Sequence, residues 1–263
     1  MKSWLLLAVL LLTQTVQAQM NNTRSFSEKL ETAQWMREYD SVAWRMSEMV
    51  TEATYEELAR IGREWFCYKG TDSLWNGVYG KFKDGKYDQV LHYRLNTNDT
   101  IDVVPDSIDA VMLVAVSKAI NVAYREAGVI LGRSYVKMNK FIQYHQDKTI
   151  TIWLMPALQP SDVAMYGGEF YYHFDESGTK ILEREEYYKG HFKGFKIGKT
   201  REVRLNYEDA DEPTQGAIYF ALQYQRSFSE IHIDTRGSTS LLAFSQEKGY
   251  YWRHADRSLA HNP

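Results

Sequence analysis

The run SEIHIDT, residues 229–235, places Glu230, His232 and Asp234 at every second position, with Ile231 and Ile233 between them. On an extended strand, side chains two apart lie on one face about 6 to 7 Å from each other, so the polar groups share a face and the isoleucines take the other. Carboxylates flanking an imidazole can bind a divalent metal or pass a proton. A straight row cannot close on one ion, because metal ligands must converge at about 2 to 2.5 Å. At most two neighbours, Glu230 with His232 or His232 with Asp234, can ligate together, and a third group must come from elsewhere. The run EFYYHFDE, residues 169–176, repeats the pattern, with Tyr171, His173 and Asp175 opposite Phe170, Tyr172 and Phe174. If the two strands are adjacent, His173 and His232 complete a mixed histidine and carboxylate site. The competing expectation is that each row is the wet face of its strand, or a hydrogen-bonded histidine–acid pair.

Glycoside cleavage needs two acids facing each other across about 5 to 10 Å, one with a raised pKa. Glu169, after Gly167-Gly168, and Glu230 are the candidates, because each sits beside aromatic or apolar residues. The single cysteine, Cys67 in EWFCYKG, lies among aromatic residues and reads as a buried, inert thiol. The chain lacks G-x-S-x-G, H-E-x-x-H, a phosphate loop, paired C-x-x-C and a dinucleotide fingerprint. No cofactor is predicted. The only ion these residues invite is a divalent metal at His173, His232 and Asp234.

These groups must be positioned by the elements around them. A capping box at Ser25 and Glu28 opens a helix, along which Met36, Tyr39, Ala43, Met46, Val50 and Ala53 draw one apolar stripe. A second box at Thr54 and Glu57 restarts it with Leu58 and Ile61 inward, so 25–64 reads as a helical pair. The period then changes to two. Asp84-Gly85 joins strands near 77–83 and 86–95, and a short strand ends at Pro105. Asp106 can cap a core helix over 107–127, closed by Gly128. Beyond it, strands turn at 146–148 and at 175–178. The stretch 189–201, KGHFKGFKIGKTR, reads as a solvated basic loop, and GAIYFALQYQR, SEIHIDTR, SLLAFSQ and GYYWRH as further strands. The sequence therefore predicts an α+β fold: a predominantly antiparallel, meandering sheet with an N-terminal helical pair and one central core helix packed on it. One domain is expected over 19–263, with its helical segment at about 25–64 and its sheet-rich body at about 65–255.

The opening MKSWLLLAVLLLTQTVQA carries Lys2, an apolar run of about nine residues and small residues around Ala18, which predicts a cleavable signal peptide over 1–18. The run is shorter than the roughly 20 residues that span a bilayer, and no cysteine stands near the cleavage point, so no membrane anchor is expected. The remaining 245 residues carry 30 basic and 34 acidic side chains. That weak acidity, with no basic block, argues against nucleic acid and anionic membranes as partners. The 19 Tyr, 11 Phe and 7 Trp suit cross-strand pairs, or a platform of rings for a sugar or a protein.

The stretches GGEFYYHFDESGTKILEREEYYKG and FALQYQRSFSEIHIDTRGSTSLLAFSQEKGYYWRH resemble the C-terminal portion of uncharacterised small exported bacterial proteins, over about the last 100 residues. The resemblance implies a bacterial periplasmic or secreted protein and supplies no activity or site residue. The expected function is that of an exported, noncatalytic binding or interaction protein with a protein or glycan partner. The alternative is a hydrolase of envelope or extracellular polymer using Glu169, His173, Glu230 and His232.

Overall fold

The computed structural model describes residues 24–105, 108–198 and 201–256. The predicted leader, its expected cleavage point and the expected cap at Asp106 lie outside them. Four helices, α1 (Phe26–Val50), α2 (Tyr55–Arg60), α3 (Ala110–Leu131) and α4 (Gln215–Gln223), accompany twelve strands among the described residues. The strands form three four-stranded sheets. The first has the order β1 (Phe66–Lys69), β2 (Trp75–Lys83), β3 (Lys86–Leu95), β4 (Ile101–Val103). The second is the meander β5 (Met138–Tyr144), β6 (Ile150–Pro156), β7 (Val163–Phe174), β8 (Ile181–Lys196). The third runs β12 (Gly249–Asp256), β11 (Ser238–Ser245), β10 (Glu230–Thr235), β9 (Glu202–Tyr207). Every pairing is antiparallel except β9 with β10, which is parallel and is connected through α4. The α+β class and the N-terminal helix pair are as the sequence predicts. The strands divide among three sheets, where one was expected.

Both predicted capping boxes are formed, with the Ser25 and Thr54 hydroxyls each accepting from the amide three residues on. Along α1, Met36, Tyr39, Ala43 and Met46 are buried, and the helix ends before Ala53. Trp35 lies between Trp75 of the first sheet and Trp153 of the second, at centroid distances of 6.3 and 5.4 Å. Phe26 meets Trp252 and His254 of the third edge-on. One helix therefore touches all three sheets. Leu58 is exposed, not inward, because α2 lasts only six residues and ends before a second apolar turn can dock.

The Asp84-Gly85 turn has both residues at positive φ, the backbone that a two-residue hairpin needs. Helix α3 starts from the Asp109 cap and continues past Gly128 to Leu131. Its buried side, including Leu113, Val116, Ile120 and Ala123, faces β3, β6, β7 and β8. Gly178, at φ +69 in the β7–β8 turn, lies so close to α3 that a Cβ there would overlap the Ala115 carbonyl. Gly178→Ala is therefore expected to lower stability by on the order of 2 to 3 kcal/mol, read as a reduced urea midpoint at unchanged slope.

Two stretches depart from their sequence reading. GAIYFALQYQR holds α4, which starts from the Thr214 cap and is apolar around its whole circumference because it is packed on all sides. The basic stretch from Lys189 is strand as far as Lys196, not loop. Tyr188 pairs with Gly168 and Lys193 with Tyr166, so residues 189–192 bulge opposite Gly167 alone.

Candidate functional site

The parallel register sets Glu202 opposite Glu230, Arg204 opposite His232 and Asn206 opposite Asp234. Valine and leucine of β9 alternate inward, as do Ile231 and Ile233 of β10. The outward face is completed by β11, which sets Leu241 beside His232 and Thr239 beside Asp234. Strand β12 adds Arg253 beside Leu241 and Tyr251 beside Ala243.

On this face His232 Nε2 stands 3.1 Å from Glu230 Oε2 and 3.1 Å from Glu202 Oε1. Arg204 Nε is 3.2 Å from the same Glu202 oxygen, and its Nη1 donates to both Asp234 oxygens at 3.2 Å. Thr239 donates to Asp234 at 2.8 Å. The face is not wet throughout: Glu202 and Glu230 are exposed, whereas His232 and Asp234 are buried among the long side chains beside them. A third acidic group approaches Glu230 and His232. It is Glu202, on a parallel strand, and not His173.

His173 lies on β7 in the second sheet, so the strand adjacency that would join it to His232 is absent. Its Nδ1 is 2.9 Å from Thr151 Oγ1, and that oxygen is 2.7 Å from His145 Nε2. One hydroxyl thus joins two imidazoles. Burial and the neighbouring His173 ring hold His145 below the ordinary histidine range.

Glu169 occupies a third place. Its carboxylate lies at the start of α4, accepting from the Thr214 hydroxyl at 2.6 Å and from the Gly216 amide. Burial pushes its pKa up to about 7, against these donors and Tyr207, which favour the ionised form. The adjoining cleft is lined by Met155, Met165, Tyr166, Tyr207, Tyr219 and Phe220, among others. It gives a water-sized molecule about 10 Å³ to occupy, the room one water needs. Glu230 is turned to His232 on the outer face of the third sheet, so the two acids named for glycoside cleavage have separate partners. Cys67 is fully buried, and burial raises its thiol to about 12.

No family model matches the chain, and neither curated proteins nor solved structures give a significant match. The site therefore stands on its own geometry. Sequence reading missed Glu202 and Arg204, although the alternation in EVRLNY, residues 202–207, carried the signal.

Proposed function

We propose that this protein is an exported, noncatalytic binding protein that takes a glycan on the outer face of the β9–β12 sheet. One observation carries the reading: two exposed carboxylates, Glu202 and Glu230, are fixed by His232 and Arg204 on an open face. Sugar hydroxyls donate to carboxylates, and acceptors held in place before binding lose little freedom when a ligand arrives. Tyr251 and Arg253 extend the face with a ring and a further donor. Glu202 and Glu230 are exposed to solvent, which suits recognition more than a reaction that must exclude water.

Titration calorimetry with neutral and uronic-acid oligosaccharides tests this directly. Wild-type protein is expected to bind at least one of them, and Glu230→Gln and Tyr251→Ala each to weaken it about tenfold or more. Unchanged affinity in both variants, or no binding by the wild type, removes the glycan reading. Export rests on the first 18 residues and on the resemblance to small exported bacterial proteins. Expression with the leader in a bacterial host is expected to yield a periplasmic or secreted chain whose intact mass begins at Gln19, whereas a full-length cytoplasmic chain refutes export.

A further inference from the structure

We propose that Glu202, Glu230 and His232 form a divalent transition-metal site on this face, an inference that rests on the binding reading and names the ion through which the ligand is held. Ligands about 2.0 to 2.2 Å from one ion stand roughly 2.8 to 3.6 Å apart for angles between octahedral and tetrahedral. Both carboxylate oxygens lie 3.1 Å from His232 Nε2, within that interval. All three ligand atoms fall within 4.8 Å of one another. Rotation of the two exposed glutamate side chains is enough to close the remaining separation onto one ion.

Hydrogen-bond and charge counts point the same way. A histidine nitrogen carries at most one proton, yet two carboxylates converge on this one. Glu202 and Glu230 are direct register partners, and like charges facing each other across strands repel. The cluster sets three carboxylates, Glu202, Glu230 and Asp234, against the Arg204 guanidinium. A divalent cation in place of the shared proton removes the repulsion and satisfies both acids at once.

The surroundings fit this role. Arg204 grips Glu202 and is itself held by Asp234, which Thr239 also contacts. Metal-binding carboxylates are commonly fixed by such outer partners. Imidazole with carboxylate suits zinc, cobalt or nickel more than magnesium or calcium, which prefer all-oxygen shells. Three protein ligands leave positions open toward solvent, because Glu202 and Glu230 are exposed. Hydroxyl or carboxylate oxygens of a sugar can enter there.

The test uses the full mature chain without an affinity tag, stripped with chelator and titrated with Zn²⁺ alone, and with Co²⁺ alone for its visible spectrum. One equivalent is expected to bind. Glu202→Gln and Glu230→Gln, both exposed, should each weaken it about tenfold or more, and the double variant should abolish it. No binding at about tenfold excess overturns the site. So does undiminished stoichiometric binding by the double variant, which would place the ion on other groups such as His145 and His173. Repeating the oligosaccharide titration with chelator separates the two conclusions: retained sugar binding without metal binding sinks the metal and keeps the glycan. Metal binding without sugar binding does the reverse.

Discussion

Glu169→Gln is expected to remove most of the fall in stability that the wild type shows as pH rises from about 4.5 to 7. The folded carboxyl titrates near 7 because it is buried, whereas in the unfolded chain it returns to about 4.5. A folded pKa raised in this way means that the folded state holds its proton more tightly, so the contribution is fully present below 4.5 and lost as pH passes 7. The interval corresponds to about 3 kcal/mol. Glutamine keeps an oxygen for Thr214 and Gly216 and carries no charge at any pH. Urea unfolding of both proteins at pH 5 and 7.5 gives the comparison. The variant should gain about 2 to 2.5 kcal/mol on the wild type between the two pH values, and equal pH slopes would show that Glu169 does not titrate in this window.

Lys140→Met should have an effect of similar size in the neighbouring window and with the opposite slope. Lys140 belongs to β5, where that edge strand meets β1, and its Nζ lies 3.8 Å above the Trp65 ring. Burial lowers its pKa to about 7, opposed by Cys67 and Glu64 and reinforced by Arg63. The folded state therefore binds the proton less tightly than the unfolded one, and wild-type stability should rise from pH 7 toward 10.5. At pH 7 the cost of keeping this amine buried is about 4 kcal/mol before its packing and its ring contact are credited. Methionine retains the apolar stem, so the variant should be more stable than wild type at pH 6, with the gap narrowing by about 3 kcal/mol by pH 9.5. A less stable variant at pH 6 would mean that the ring contact outweighs desolvation.

Local features of this fold were legible where a short-range rule decides them. Ser25 and Thr54 announce helix starts through the glutamate three residues on, and Asp84-Gly85 announces its turn through backbone angles few other pairs accept. Residues 215–223 escaped because an apolar helix packed on every side has no polar face to mark its period, and its aromatic residues suit a strand equally well. That misreading concealed more than one helix. Without α4 as a crossover, β9 and β10 cannot be seen as parallel partners, and Glu202 cannot be placed opposite Glu230. The site's own strand was readable, and its partner depended on connectivity. Burial of His232 and Asp234 was hidden for the same reason, since the side chains that cover them come largely from the strands beside them.

The helix that touches all three sheets also dictates an order of events. Its contacts with β1 and β2 become available almost as soon as it is made, but α4 and β12, which cover its remaining side, are encoded more than 160 residues later. At roughly 5 to 20 residues per second, synthesis leaves that side bare for about 10 to 30 seconds. The first described element to be made is thus among the last to be sealed. A ribosome that stops before α4 releases a chain with an uncovered greasy stripe near its front end, a handle for chaperones and a route to aggregation.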